Sequence, residues 1–473
     1  MGRGVFTALV FVLASGVLGS GASAGCGASD PSVTPRAGPP AALWVLAPHP
    51  DDEALFGAEP IRRALRERRD VRVMVMTNGD LGCGRDGHLR QRETVAAMAE
   101  LGLPEDHIRF LGYPDGALDA LSAEPLPERE RRAVDGTCVR GATTYASRGE
   151  GALDVHAQLR GAPGAYTVEN AVGDLAALLE RDRPSDVYVA HPIDEHPDHA
   201  STYTLLRRAL EAARLDALPR VHRCLVHVGG CWPNGDRARE PCDPISGRLG
   251  TPYPPLPPPL ERYRASERLV VDDGGAQARR AIAQYRSQLH VEVEHDWLGT
   301  FARGEAIAWP ELLVRGSGRV VRARGPGVDA GALALGPPAL RTVDAHGGHI
   351  PARYRAPFEL VVEARIPASG ALEVAWADGA EPPLRLRIAP DAVVFSRGPS
   401  EIRRLFVPAV ERGRRWSLRV EPRPEDGGVL ELELRQDAVP VAWAIAADDA
   451  LEGEGIDVSV EGGASLDGVR AGP

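Results

Sequence analysis

Two short runs of histidine and acidic residues carry the groups of this chain that could do chemistry. The first run is HPDDE at residues 49–53, and the second is HPDH at residues 196–199. In each run two metal-binding side chains lie three residues apart, so both can reach one ion across a tight turn. A single histidine is usually a structural residue, but two such clusters in one chain are hard to explain as core packing.

Zinc is the metal that these side chains fit. It prefers histidine nitrogen and carboxylate oxygen, and a catalytic zinc site uses three protein ligands and leaves one position open for water. His49, Asp52 and His199 would supply such a set, and Asp51 is free to act on the water. The sequence therefore predicts a zinc site that is divided between two distant segments.

Each run follows a predicted buried strand. Residues 43–47 are a continuous apolar stretch, as expected of a strand in a parallel sheet, and residues 186–190 (DVYVA) also predict a strand. A helix pattern follows each. Ligands of open α/β sheets bind at the carboxyl ends of the strands. Strands alternate with helices over residues 42–314, which predicts a Rossmann-like, mostly parallel sheet with helices on both faces.

The predicted elements of this first domain are short. The strands cover residues 43–47, 71–77, 108–111, 186–190 and 221–228, and the helices cover residues 54–68, 89–101, 169–180 and 201–213. Residues 119–165 and 229–264 interrupt the pattern as loop insertions. They are either surface elaborations or walls of a substrate site, since loops at strand ends often carry function.

Several motifs in order resemble the LmbE/PIG-L family, named for N-acetylglucosaminyl-phosphatidylinositol de-N-acetylase. Besides the two histidine runs, the matching segments are TNGD at 77–80, RQRE at 90–93, LGYPDG at 111–116 and YRSQ at 285–288. Each motif is weak alone, but together they extend the resemblance from residue 43 to residue 313. The resemblance implies a zinc hydrolase that removes an acetyl group from an N-acetylated sugar or glycoconjugate.

The resemblance also implies a role for each residue of the two runs. His49, Asp52 and His199 would bind zinc, Asp51 would be the general base, and a protonated His196 would stabilise the oxyanion. Glu53 and Asp198 are predicted to support the ligands from behind.

Two further positions match family residues that contact sugar hydroxyls. They are Arg90 and Asp115, for which a helix-surface ion pair and a turn residue are the alternative interpretations. Asp194 stands where some sugar-specific relatives carry an aromatic residue, so the resemblance does not define one substrate.

The sequence pattern changes after about residue 315. Short alternating strands separated by Gly, Pro and Asp predict an all-β sandwich or jelly roll over residues 335–473. This domain would either bind carbohydrate or cover the catalytic sheet. Trp376, Trp416 and Trp443 favour the core interpretation, because large aromatic side chains mostly pack inward.

The N-terminus predicts export. Residues 1–25 have a basic start, an apolar stretch and an Ala-Ser-Ala cleavage pattern, as in a signal peptide, and residues 26–41 are typical of a disordered linker. Cys26 follows a sequence that loosely resembles a lipobox. Secretion, a periplasmic location and an outer-membrane lipoprotein anchored through Cys26 remain open alternatives.

Six cysteines fit an oxidising compartment. Cys83 with Cys138 and Cys231 with Cys242 are the predicted disulfides, and Cys224 is predicted to be a buried thiol.

Charge and composition exclude some classes of function. The net charge is −11, with 66 acidic against 55 basic residues, which argues against nucleic acid as a partner. Every basic residue is Arg, so lysine-based covalent catalysis is excluded. Two alternatives to the deacetylase remain: a zinc deacylase or esterase acting on a non-sugar substrate, and an inactive glycan-binding protein.

Overall fold

The computed structural model describes most of the chain after residue 41. The described residues are 42–149, 152–229, 232–233, 249–258, 260–289, 297–316, 319–323, 332–335, 347–367, 369–376, 382–390, 392–406, 415–437, 439–446 and 452–472. The predicted signal peptide, the linker with Cys26, and the Cys231–Cys242 pair lie outside these ranges. Within them, no helix has both the length and the apolar character needed to cross a bilayer.

The first domain contains a central sheet, a separate two-stranded hairpin and several helices. Its strands are β1 (Leu43–Ala47), β2 (Val71–Thr77), β3 (Ile108–Tyr113), β4 (Arg129–Arg132), β5 (Cys138–Gly141), β6 (Asp186–Ala190), β7 (Arg220–Cys224), β8 (Glu267–Val270), β9 (Glu305–Gly316) and β10 (Arg319–Arg322). Its helices are α1 (Asp52–Leu55), α2 (Ala58–Arg66), α3 (Gly87–Glu100), α4 (Val155–Arg160), α5 (Val168–Asp182), α6 (Pro197–Ala212), α7 (Ala276–Ile282) and α8 (Arg286–Leu289).

The strand order places the two histidine runs next to each other. Strands β7, β6, β1, β2 and β3 are neighbours in that order, and all pair in parallel. Strand β9 adds antiparallel to β7, and β8 and β10 pair with β9. The order reverses between β1 and β6, which is the switch point where open α/β sheets bind ligands. Both runs begin just after these two strands, and the predicted parallel sheet with helices is confirmed.

Two predicted elements are shorter in the structure. The predicted helix 54–68 divides into α1 and α2 at Gly57, where an added Cβ would lie 2.4 Å from the carbonyl oxygen of Glu53. Strand β7 ends at Cys224 and not at residue 228, because the backbone N–H groups of Val226 and His227 donate to the carboxylate of Asp194. Side-chain contacts thus replace sheet pairing at the point where the site begins.

The insertion at residues 119–165 contains the β4–β5 hairpin and helix α4. A disulfide joins Cys138 of this hairpin to Cys83 in the loop before α3, with the Cα atoms 5.7 Å apart, which confirms the predicted pair. Cys224 is buried and unpaired, as predicted.

The C-terminal region is a sandwich of antiparallel strands, as predicted. The strands are β11 (Ala332–Leu335), β12 (Gly347–Arg355), β13 (Phe358–Arg365), β14 (Ala371–Trp376), β15 (Leu384–Ile388), β16 (Ala392–Arg397), β17 (Ser400–Phe406), β18 (Arg415–Arg423), β19 (Val429–Gln436), β20 (Val439–Ala446), β21 (Glu452–Glu461) and β22 (Ser465–Gly472). One sheet has the order β11-β12-β21-β14-β15-β16-β17 and the other β20-β19-β18-β13-β22, and one apolar core joins them. Strand β10 extends the first domain past the predicted boundary at residue 314, and β11 begins before residue 335.

Strand β19 of the smaller sheet is buried on both faces. Side chains alternate across a strand, so Leu430, Leu432 and Leu434 of β19 enter the sandwich core, while Glu431 and Glu433 face the first domain.

Strand β20 shows the same alternation with an aromatic residue. Trp443 packs edge-on against Tyr203 of α6, with ring centroids 4.9 Å apart. Trp376, Trp416 and Trp443 are all at most 2% exposed, which confirms them as core aromatics.

Buried charges cross the interface between the two domains. The carboxylate of Glu431 lies 2.9 Å from Arg223 Nη1 of β7 and 3.1 Å from Arg423 Nη1, and Arg322 approaches it at 4.0 Å. Burial acts to raise the pKa of Glu431, but Arg223 and Arg423 outweigh it and hold that pKa below its usual range. Glu431 therefore neutralises a cluster of guanidinium groups in a place that water does not reach.

Glu431→Gln is expected to lower the free energy of unfolding by about 3–5 kcal/mol, because it leaves the buried guanidinium of Arg223 without its carboxylate partner. Denaturant titration measures this loss. The control is Glu401→Gln, which removes an exposed ion pair with Arg404 and should cost under about 1 kcal/mol. Equal unfolding midpoints for the two variants would contradict the assignment.

Removing the disulfide with Cys83→Ser and Cys138→Ser together is expected to cost about 2–4 kcal/mol of stability, because the unfolded chain loses a long covalent loop. The measurement is the unfolding midpoint with and without a reductant. Wild type should lose more stability on reduction than the double variant, which keeps only the predicted Cys231–Cys242 pair. A wild-type midpoint that is insensitive to full reduction would refute this expectation.

Candidate active site

Three predicted metal ligands converge between the ends of β1 and β6. His49 Nδ1 lies 3.2 Å from His199 Nε2 and 3.3 Å from Asp52 Oδ2, and His199 Nε2 lies 3.1 Å from Asp52 Oδ2. His49 and His199 are 150 residues apart in the chain. Helix α1 begins at Asp52 and α6 carries His199 in its first turn, so two helix starts aim these atoms at one point.

This triangle fits a small divalent cation. Zinc bonds of about 2.0–2.2 Å in a tetrahedral site separate neighbouring ligand atoms by about 3.3–3.6 Å, close to the 3.1–3.3 Å found here. The donor set of two imidazole nitrogens and one carboxylate oxygen is also the kind that zinc prefers. The three predicted ligands therefore match a catalytic metal site in both chemistry and spacing.

Carboxylates lie next to the other nitrogens of both histidines. His49 Nε2 lies 3.0 Å from Asp198 Oδ2 and 3.2 Å from Asp115 Oδ1. His199 Nδ1 lies 3.3 Å from Asp194 Oδ2. A carboxylate behind a ligating imidazole fixes its orientation and raises its basicity, so these acids are placed to support metal binding.

The electrostatics of the cluster favour positive charge. Burial acts to lower the pKa of His49, but hydrogen bonds with Asp115, Asp198 and Asp52 outweigh it and raise that pKa well above its usual value. Burial likewise opposes a charge on His199, yet Asp52 and Asp194 raise its pKa to about 10. The surrounding carboxylates therefore favour positive charge at the point where the predicted ligands meet.

The backbone of Asp51 is strained. Its φ of 141° lies in a region that non-glycine residues rarely adopt, at a cost of about 1–3 kcal/mol. Neighbouring groups hold this conformation: Asp51 N–H donates to Glu53 Oε2 at 3.0 Å, and the carbonyl of Pro50 accepts from Arg90 Nη2 at 2.9 Å and from Gln288 Nε2 at 2.8 Å.

The carboxylate of Asp51 is only slightly exposed and lines the cavity. Burial, followed by the charge of Asp52, raises the pKa of Asp51 to about 7 in the metal-free site, although Arg90 acts to lower it. Arg90 Nη2 lies 3.4 Å from Asp51 Oδ2. The side chain predicted to be the base is thus positioned beside the candidate metal site without binding any of its ligand atoms.

His196 caps helix α6. Its Nδ1 accepts the backbone N–H of Asp198 at 3.2 Å, which leaves Nε2 as the ring nitrogen that can donate. Burial, and then the charges of His49 and His199, lower the pKa of His196 to about 3. These contacts favour an imidazole that donates through Nε2–H, whereas a protonated His196 that stabilises an oxyanion stays a prediction.

Arg90 and Glu53 support the Asp51 turn from inside the protein. Arg90 is buried, and besides the Pro50 carbonyl it binds the carbonyl of Gly79 at 2.6 Å, so it is not part of a helix-surface ion pair. An added Cβ at Gly79 would lie 2.3 Å from this guanidinium, which explains a glycine there. Glu53 accepts a hydrogen bond from the hydroxyl of Tyr285 at 2.6 Å and another from the backbone N–H of Asp51. Its contacts therefore support Asp51, whereas the prediction was that Glu53 supports a metal ligand.

Asp115 is buried next to His49 and also accepts the N–H of Leu81 at 2.9 Å. Arg90 and Asp115 both line the cavity, so contact with a sugar stays a prediction for each.

A cavity of about 490 Å³ opens above the site. Polar residues of the two histidine runs form its floor, and leucines and a tryptophan form much of its wall: Leu55, Leu81, Leu89, Leu289, Trp297 and Leu298. Arg85 and Arg132, on either side of the disulfide, also line it. The insertion at 119–165 therefore contributes to the wall of the site.

Sequence reasoning misses two residues of the site. The sequence marks Asp194 only as a departure from relatives, yet it is fully buried and faces His199. His227 follows β7 and lines the cavity, stacked on Trp297 with ring centroids 5.1 Å apart. The position of His227 near the end of a predicted apolar strand is the signal that could have found it.

Part of the chain is similar in sequence to known proteins. Residues 44–210 match the family model PIG-L, GlcNAc-PI de-N-acetylase. A 1D-myo-inositol 2-acetamido-2-deoxy-alpha-D-glucopyranoside deacetylase from Mycobacterium sp. (strain KMS) is 29% identical over 191 residues, which are 37% of this chain and 51% of the relative. The chain thus spans about half the length of the curated relatives that it matches.

Solved structures match part of the chain. A conserved protein from Thermus thermophilus is 21% identical, with a TM-score of 0.32 over 61% of this chain and 99% of that protein. The N,N'-diacetylchitobiose deacetylase from Pyrococcus horikoshii is 14% identical, with a TM-score of 0.35 over 57% of this chain and 83% of that protein. The family match extends from β1 to α6 and contains both histidine runs, so residues 44–210 are similar to a PIG-L domain.

Proposed function

We propose that this chain is a zinc-dependent de-N-acetylase that hydrolyses the acetamido group of an N-acetylated sugar or glycoconjugate. The observation that carries the proposal is the mutual spacing of 3.1–3.3 Å among ligand atoms of His49, Asp52 and His199. His49 and Asp52 line the cavity, and His199 is buried next to them. The mycobacterial relatives, named as deacetylases of a 2-acetamido-2-deoxy-glucopyranoside, support the substrate class.

A bound zinc ion would polarise the amide carbonyl and lower the pKa of water towards about 7. Asp51 accepts the proton of the attacking water as the new C–O bond forms. His196 donates its Nε2–H to the carbonyl oxygen, where negative charge develops. Breaking the C–N bond then needs a proton on the departing amine, which the carboxyl of Asp51 returns, so that acetate and the free amino sugar are released.

One alternative keeps the metal and changes the acyl group. The apolar wall of the cavity offers surface to an acyl chain longer than acetyl, which favours a zinc deacylase or esterase over the inactive glycan-binding protein. Relative kcat/KM on acetyl, longer acyl and ester substrates separates these activities.

Export of the protein is a further part of the proposal. The Cys83–Cys138 disulfide supports an oxidising compartment. The mass of the mature protein would distinguish a lipid on Cys26 from free secretion.

Asp51→Asn is expected to lower kcat by about 10²–10⁴-fold with little change in bound zinc, because the amide cannot take the proton of the attacking water. Acetate release from a panel of N-acetylated sugars measures the effect. Asp272→Asn, at an exposed carboxylate outside the cavity, is the control and should keep wild-type rates. Full activity in Asp51→Asn, or no turnover by folded, zinc-loaded wild type on the whole panel, would refute the proposal.

Zinc is expected to stabilise the metal-free protein by about 2.7 kcal/mol at a concentration 100 times its Kd, because it binds the folded state alone. The rise in Tm with added zinc measures this, and bound metal per chain is counted by elemental analysis. His199→Ala should abolish the rise. An equal rise in wild type and His199→Ala would show that zinc binds elsewhere.

A further inference from the structure

Asp194 connects the segments that form the metal site. Its Oδ1 accepts the N–H of His196 at 3.0 Å, and its Oδ2 accepts those of Val226 at 2.8 Å and His227 at 3.0 Å. The same Oδ2 lies 3.3 Å from His199 Nδ1. A displacement of Asp194 would therefore move a candidate metal ligand, a catalytic histidine and the end of β7 together.

The C-terminal sandwich reaches this aspartate through one arginine. Arg403 lies on β17, the edge strand of the larger sheet, and its Nη2 donates to the backbone carbonyl of Asp194 at 2.5 Å. The two residues are 209 positions apart. The guanidinium is largely buried, and its Nε has no hydrogen-bond partner among the described residues, so the bond to Asp194 is the main polar compensation for burying it.

We propose that Arg403 is a positioning residue for the metal site, through which the C-terminal sandwich completes the active centre. Arg403 holds the carbonyl of Asp194, and the carboxylate of Asp194 then orients the His199 imidazole and the His196 backbone. This assigns the second domain a direct part in metal binding, and it rests on the zinc site of the proposed function.

The rest of the interface supports a fixed position for Arg403. Glu431 and Trp443 pack the smaller sheet against the first domain, and Trp443 contacts helix α6. Helix α6 begins in the loop that contains Asp194, so the sandwich cannot move independently of this loop. Strands β17 and β20 are also in contact, which links Arg403 to that interface.

Arg403→Met keeps the length of the side chain and removes the donor. It is expected to weaken zinc binding by about 10-fold and to lower kcat, since loss of groups behind metal ligands typically costs about 10–100-fold. KM for the substrate should stay near wild type, because Arg403 does not line the cavity. Arg403→Lys, which can still donate to the carbonyl, should recover part of both losses.

The matched control is Arg404→Met on the same strand. Arg404 is exposed and pairs with Glu401 on the opposite face of β17, so its removal should change neither zinc affinity nor kcat. Zinc affinity is measured by competition with a chromogenic chelator on the full chain, and Tm is recorded for each variant. If the substitution only lowered stability, Tm would fall, but the combination of a lower kcat with an unchanged KM would not be seen.

The outcomes are distinct. Zinc affinity and kcat of Arg403→Met equal to wild type would overturn the inference, as would equal losses in Arg404→Met. If Arg403→Met fails to fold, Arg403→Lys decides: a few-fold weaker zinc binding supports the inference, and wild-type binding refutes it. Wild type that binds no zinc would instead refute the proposed function itself.

Discussion

The structure depends on bringing two imidazoles and several carboxylates into one buried space. Metal ligand atoms of His49, Asp52 and His199 lie within 3.3 Å of one another, although the two histidines are 150 residues apart. Such a cluster is costly to bury unless its charges are balanced by one another or by a cation. The parallel pairing of β1 with β6 makes it possible, because it fixes both turns at the same edge of the sheet.

Buried contacts stabilise the strained backbone of Asp51, the proposed base. The unfavourable backbone of Asp51 points its carboxylate into the cavity, and buried contacts from Glu53, Arg90 and Gln288 hold the turn in place. A flexible carboxylate would lose entropy on each encounter with substrate, whereas a fixed one has lost it during folding. The sequence motifs around residues 90 and 285 thus serve the geometry of residue 51.

The second domain is joined to the first as one structure. Trp376, Trp416 and Trp443 are buried, so none of them forms an exposed platform for stacking a sugar. The smaller sheet instead turns one face to the sandwich core and the other, with Glu431, to the sheet of the first domain. A carbohydrate-binding role for this domain stays a prediction.

The sequence by itself determined the fold class, the two histidine runs and the strand ends that position the site. These are local properties, since apolar runs, turn residues and motif spacing can be read within a few neighbouring residues. Tertiary structure alone decided the pairing of Cys83 with Cys138, the orientation of the His196 ring, the internal role of Arg90, and the contacts of Asp194 with His199 and Arg403. Each of these depends on which groups meet across long chain separations, because hydrogen bonding and burial there set the charge and orientation of a side chain, and no local pattern encodes them.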